Sequence, residues 1–178
     1  MCITLFLNVY ASASNSKDDL STLKQNYKNT LLFEGEQALI DVLTTLPYEK
    51  YFSDQMVVEL LDRYPIKKEL VEHYVASIQQ DGSWSDIDYK SNDRSGWRPK
   101  IHVERILLLA RVYANKEHQY YKSEKVEKTI HQALSYWFDA KLVCSNWWYN
   151  QIGVPKTLGA AVLLFEDRLT ETERLAAI

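Results

Sequence analysis

Asn146-Trp147-Trp148-Tyr149-Asn150-Gln151-Ile152-Gly153-Val154-Pro155 is the stretch on which the reading of this chain turns. Adjacent tryptophans are costly to leave in water, yet neighbouring side chains of an extended segment point apart and resist burial together. One indole can anchor the loop in a core while the other turns its flat face to a groove. Such a face suits the axial C–H groups of a pyranose ring. The amides of Asn146, Asn150 and Gln151 can donate to and accept from the ring hydroxyls. Two core tryptophans pinning a tight turn would fit the same residues, and the physics alone leaves both readings open.

Outward from this loop the pattern is helical. Pro155 marks a helix start, and Leu158, Ala161, Val162 and Phe165 carry an apolar face from Lys156 to about Leu169. Thr170-Glu171-Thr172-Glu173 reads as an N-cap with an acidic first turn. Upstream, Ser123 is expected to cap a helix whose stripe is Val126, Ile130, Leu134 and Trp137. Lys122, Lys125 and Lys128 alternate there with Glu124 and Glu127 as a solvated face. Ile106, Leu109 and Tyr113 mark a helix from Ile101 to Tyr113, just after Pro99. Leu70, Tyr74 and Ile78 form another stripe, ending near Asp81-Gly82. Met56, Val57, Leu60, Leu61 and Tyr64 form one that Pro65 stops. Leu20, Leu23, Tyr27 and Leu31 give the first apolar face.

No run alternates apolar and polar residues for long enough to require a sheet. The expected fold class is all-α, in helical hairpins joined by loops of uneven length. Exact internal self-similarity is absent, which excludes the common short tandem repeats. The 178 residues suffice for one domain with its own core. A net charge of −3 argues against general nucleic-acid binding, though a local basic groove remains compatible with it. No run has the length of a membrane span. Residues 1–13, ending in Ala11-Ser12-Ala13, read as the remnant of a secretory signal. Its missing positive region points to a start upstream of Met1, and a buried strand or helix start is the alternative for residues 3–10. Export would place the protein outside the cell or in a periplasm. With Cys2 gone, Cys144 would stand alone as a small buried hydrophobe, so no disulfide framework is expected.

The order Asn146, Trp147, Trp148, Ile152, Gly153, Pro155, Leu158 closely resembles the aromatic-patch loop of the polysaccharide lyases of family 8, which cleave chondroitin, hyaluronan and xanthan. Gln151 departs from the Glu that members often carry. The earlier run Asp81-Gly82-Ser83-Trp84-Ser85-Asp86-Ile87-Asp88-Tyr89, with Trp97, Pro99, His102 and Arg105, resembles the segment before that patch. The likeness covers about residues 81–165. It implies that residues 18–178 are the N-terminal portion of an incomplete (α/α) toroid whose cleft binds an acidic polysaccharide. It implies β-elimination at a 4-linked sugar, with an Asn and a His masking a carboxylate and a Tyr moving protons. No position here matches those catalytic residues, so none is assigned; they are expected in a C-terminal part of the same polypeptide, and these residues alone are expected to be inactive. Trp147 and Trp148 are assigned to substrate stacking and Asn146 to substrate binding.

Other constellations are bland. Asp81, Asp86 and Asp88 lack the spacing of a calcium loop, and His73, His102, His118 and His131 lack a metal-ligand spacing, so neither cofactor nor metal is expected. His102 stands near the first loop but reads as structural. Two other functions compete: a non-catalytic carbohydrate-binding helical module, and another α/α-barrel such as a terpenoid-cyclase-like domain. The second needs an apolar, acid-lined cavity, and the amide-rich loop speaks against it.

Overall fold

The leucine-rich segment after Pro99 folds as the centre of the molecule. The structure, a computed structural model, describes residues 16–33 and 66–177. The export segment and the Met56–Tyr64 stripe expected from the sequence lie outside those residues. The helices are α1 (Ser16–Phe33), α2 (Lys68–Ser77), α3 (Lys100–Ala114), α4 (Glu124–Ala140), α5 (Val154–Phe165) and α6 (Glu171–Ala176), with a π-helical turn at Tyr149–Gly153. Among the described residues there is no strand, only an isolated antiparallel bridge between Ile78 and Trp84. The all-α expectation holds.

Helix α3 is buried on more than one face: Val103, Ile106, Leu109, Ala110 and Val112 are all inside. A helix that is apolar nearly all round must be enclosed, and α3 packs against both α4 and α5. Helix α4 presents its expected stripe inward, Val126, Ile130, Leu134 and Trp137, with Ala133 between. Helix α5 buries Ala160, Ala161, Leu164 and Phe165. The capping box before α6 is complete: Thr170 Oγ1 accepts from Glu173 N, and the Glu173 carboxylate accepts from Thr170 N. The chain therefore enters α3 and α5, and leaves α2 and α4, at one end of the bundle, where both long loops meet.

Four details depart from expectation. On α1 Leu31 is the buried residue of the stripe, while Leu20, Leu23 and Tyr27 are exposed; α1 is held by polar contacts, Lys24 and Lys28 to Glu166 and Arg111 Nε to the Leu31 carbonyl at 3.0 Å. Helix α2 stops at Ser77 rather than near Gly82, because Ile78 turns extended to pair with Trp84, and Val71 is its fully buried residue. Ser123 holds the N-cap position of α4 without a side-chain cap bond. Glu127 is not simply solvated: it accepts from the Tyr113 hydroxyl at 2.7 Å and pairs with Arg168.

The loop between α2 and α3 reads as polar but is a plug. Asp81 Oδ1 accepts from Ser83 N at 2.9 Å and from Ser83 Oγ at 2.7 Å, closing a turn on Gly82 at φ +89°. A Cβ on Gly82 would run into the Gln132 carbonyl, so only glycine lets this turn press on α4. Trp84 and Trp97 are buried, each with its indole N–H satisfied, by Tyr74 O at 3.0 Å and Ser91 O at 2.9 Å.

His102 ties this plug to two helices. Its Nε2 lies 2.9 Å from the Ala133 carbonyl, which can only accept, so Nε2 carries the proton. Nδ1 then accepts from the Tyr89 hydroxyl at 2.9 Å, and that hydroxyl accepts from Trp84 N at 3.0 Å. Burial is the chief cause that lowers the imidazole pKa to about 4, keeping it neutral. Burial also raises Tyr89 to about 12. Arg105, buried, makes a two-pronged pair with Asp86 at 2.9 and 2.5 Å and lies over the Tyr74 ring at 4.5 Å. The hydrogen bond from Arg105 is the main reason the Asp86 carboxyl stays below its ordinary range.

Candidate functional site

The Asn-Trp-Trp loop is built against the earlier loop by bonds between segments far apart in sequence. Ser145 N donates to Asn92 Oδ1 at 3.1 Å, and Asn146 Nδ2 donates to Arg94 O at 2.8 Å. The Tyr149 hydroxyl accepts from Gly96 N at 2.9 Å and Trp97 N at 3.3 Å, while its ring packs on Trp97. Cys144 is buried between the two loops, with Sγ 3.7 Å from Asp93 O. Asn150 brackets the Cys144 backbone, accepting from its N–H at 2.9 Å and donating to its carbonyl at 2.7 Å. Its amide thus replaces a missing strand neighbour.

On this frame stand the two tryptophans. Trp147 is 58% and Trp148 43% exposed, so neither anchors the core, and Ile152 beside them is exposed as well. Trp148 N donates to Asn146 Oδ1 at 3.1 Å. The Trp148 indole lies against Gly153 and stands nearly perpendicular to Tyr149, at 84° and 5.3 Å between centroids. The Tyr149–Gly153 turn is π-helical: Val154 N–H bonds back to Tyr149 O, five residues away. Together with Ile152 the indoles form an exposed apolar cluster on a hydrogen-bonded base. Such a cluster can offer a flat apolar face to a ligand with hydroxyl edges.

The structure brings all three predicted site residues together but divides their roles. Trp147 and Trp148 are free to face a ligand, whereas Asn146 bonds to Arg94 and Trp148. Asn150 is likewise occupied with Cys144, which leaves exposed Gln151 as the amide most available to a hydroxyl. Tyr149 and Asn150 are the frame residues that sequence reasoning missed in that role. Their only signal was their place inside the loop. Asp81, Asp86 and Asp88 each serve their own neighbourhood, and among the described residues no three metal-ligating side chains gather. Among them, too, no helix is long and apolar enough to cross a membrane.

Residues 49–178 match Polysaccharide lyase family 8, N terminal alpha-helical domain. The chain belongs to this lyase family. Over 95 residues it is 34% identical to chondroitinase-AC of Pedobacter heparinus, an alignment that covers 53% of this chain and 14% of that enzyme. A solved structure of chondroitinase AC lyase with oligosaccharides superposes with a TM-score of 0.57 at 30% identity, covering 61% of this chain and 17% of that one. The chain thus spans a small part of the relatives it matches. Family 8 membership settles the fold reading in favour of the lyase helical domain over a terpenoid-cyclase-like barrel.

Proposed function

We propose that this chain is the substrate-gripping N-terminal part of a polysaccharide lyase acting on an acidic polysaccharide of the chondroitin or hyaluronan type. The observation that carries this reading is the pair of exposed indoles, Trp147 and Trp148, on a frame braced by Tyr149 and Asn150. Family membership and the likeness to chondroitinase-AC support it. In the proposed reaction a base takes the C5 proton of a 4-linked uronate, the C4–O bond breaks, and a C4–C5 double bond remains. That proton is acidic only when the neighbouring carboxylate charge is masked. Masking and proton transfer are assigned to parts of the polypeptide outside these 178 residues. This chain holds the sugar chain in register for them. Secretion or periplasmic placement belongs to the same proposal, since such polymers lie outside the cytoplasm.

The test uses the full-length polypeptide, with chondroitin as probe and release of ultraviolet-absorbing unsaturated uronate as readout. Trp147→Ala and Trp148→Ala are each expected to weaken substrate binding about tenfold, as for a central aromatic contact. Parent-like affinity and rate in both variants would remove the tryptophans from the site. Glycan binding without unsaturated product would remove the lyase activity and leave a binding module.

A further inference from the structure

We propose that Arg94 is a specificity-determining residue that pairs with an acidic group, sulfate or carboxylate, on the sugar adjoining the one stacked on Trp147 and Trp148. This rests on the reading of the tryptophans as a sugar platform. Asn146 holds the Arg94 carbonyl at 2.8 Å, and Ser145 holds Asn92 at 3.1 Å, which ties the Arg94 backbone to the residue just before Trp147. Gly96, two residues on, takes a left-handed turn at φ +74°, and its N–H donates to the Tyr149 hydroxyl at 2.9 Å, which holds this bend against the Asn-Trp-Trp loop. The Arg94 side chain is exposed and has no partner among the described residues.

The nearest acid does not neutralise it. The Asp93 carboxylate accepts from Ser91 Oγ at 3.1 Å, and its carbonyl faces Cys144. Residues 90–98 hold Lys90, Arg94 and Arg98 against Asp93 alone, a local excess of two positive charges in a chain of net charge −3. Among the described residues Lys24 and Lys28 pair with Glu166, Lys100 with Glu104, and Arg168 with Glu127, whereas Lys90, Arg94 and Arg98 of this loop pair with no described acid. An exposed, unpaired guanidinium on a residue whose backbone is bonded to Asn146, next to Trp147, suits a ligand that alternates flat sugar faces with carboxylate or sulfate. Its fork can take two oxygens of either group at once.

The backbone carbonyl, not the side chain, braces the loop, so Arg94→Ala keeps the frame. In the full-length protein, binding is read before turnover, from rapid quenching of tryptophan fluorescence on mixing with chondroitin sulfate, desulfated chondroitin or carboxyl-reduced chondroitin sulfate. Arg94→Ala is expected to weaken binding of the first about three- to tenfold, with Arg94→Lys in between. The loss should vanish on the polymer that lacks the acidic group Arg94 engages, which identifies that group. Lys116→Ala, an equal change in net charge at the other end of α3, should leave binding unchanged. Parent-like binding by Arg94→Ala overturns the proposal. So does an equal loss in Lys116→Ala, or an undiminished loss on both altered polymers. Weak binding by Trp147→Ala or Trp148→Ala alongside parent-like Arg94→Ala would keep the platform reading and discard only Arg94, whereas parent-like binding by all three discards both.

Discussion

Gly153 is the floor on which Trp148 lies: a Cβ there would come 2.5 Å from Cζ3 and 3.1 Å from Cε3 of the indole. The glycine has ordinary helical angles, φ −62° and ψ −52°, so the backbone does not demand it. The close approach of the ring does. Gly153→Ala gains about 1 kcal/mol of helix propensity and must push the indole aside. The expected outcome is an unchanged or slightly higher Tm with glycan affinity down about fivefold or more, a loss of stacking worth about 1 kcal/mol. A variant that kept full affinity would show that the position of Trp148 is unimportant.

Asn150 should behave in the opposite way. Replacement by Ala strips both hydrogen bonds from the Cys144 backbone inside a part-buried corner. The expected cost is about 1–3 kcal/mol of stability, with affinity falling alongside because the two loops lose their shared brace. Denaturant unfolding and glycan titration of the same sample would check this. Normal stability with weakened binding would instead move Asn150 from frame to ligand contact.

His102 predicts a pH dependence. Its folded pKa, about 4, lies below the ordinary 6.5, so the unfolded chain binds the extra proton first as pH falls. Above pH 6.5 the residue costs nothing; between 6.5 and about 4 stability declines, by roughly 3 kcal/mol in all. A thermal unfolding series from pH 7 to pH 4 should show this slope, and His102→Gln should flatten it. An equal slope in both would point to other groups.

The ion pair of Arg105 and Asp86 is lopsided, with side-chain exposures of 8% and 53%. Removing Asp86 leaves a guanidinium buried against Tyr74 and Trp84 without its counter-ion. Asp86→Leu is therefore expected to cost more stability than Arg105→Leu, by about 1–2 kcal/mol. Equal costs in paired denaturant titrations would mean that water solvates the abandoned Arg105.

Helices with one-sided stripes were legible in the sequence: α4 buries Val126, Ile130, Leu134 and Trp137 as its spacing predicts, and Thr170 and Glu173 cap α6 as written. Such signals are local. Burial of Trp84 and Trp97 inside a loop rich in Asp and Ser was not legible, because it depends on Gly82 meeting Gln132 and on carbonyls of distant residues. The stripe on α1 misled, since periodicity tells which residues share a face but not whether anything covers it. At the candidate site, the aromatic-patch resemblance singled out Trp147 and Trp148, which the structure leaves exposed. It could not say that Asn146 and Asn150 hold the loop together, because their partners Arg94 and Cys144 are set by the fold.

The π-helical turn at Tyr149–Gly153 fixes an angle as well as a shape. Five residues close where an α-turn would use four, so the turn holds one residue more than a regular helix needs. Each helical residue turns the chain by about 100°. Deleting one residue between Tyr149 and Gly153 would let the α-register run on unbroken, yet rotate everything before it by about a quarter-turn around the axis of α5. A single codon thus shifts by about a quarter-turn the direction in which the two indoles face.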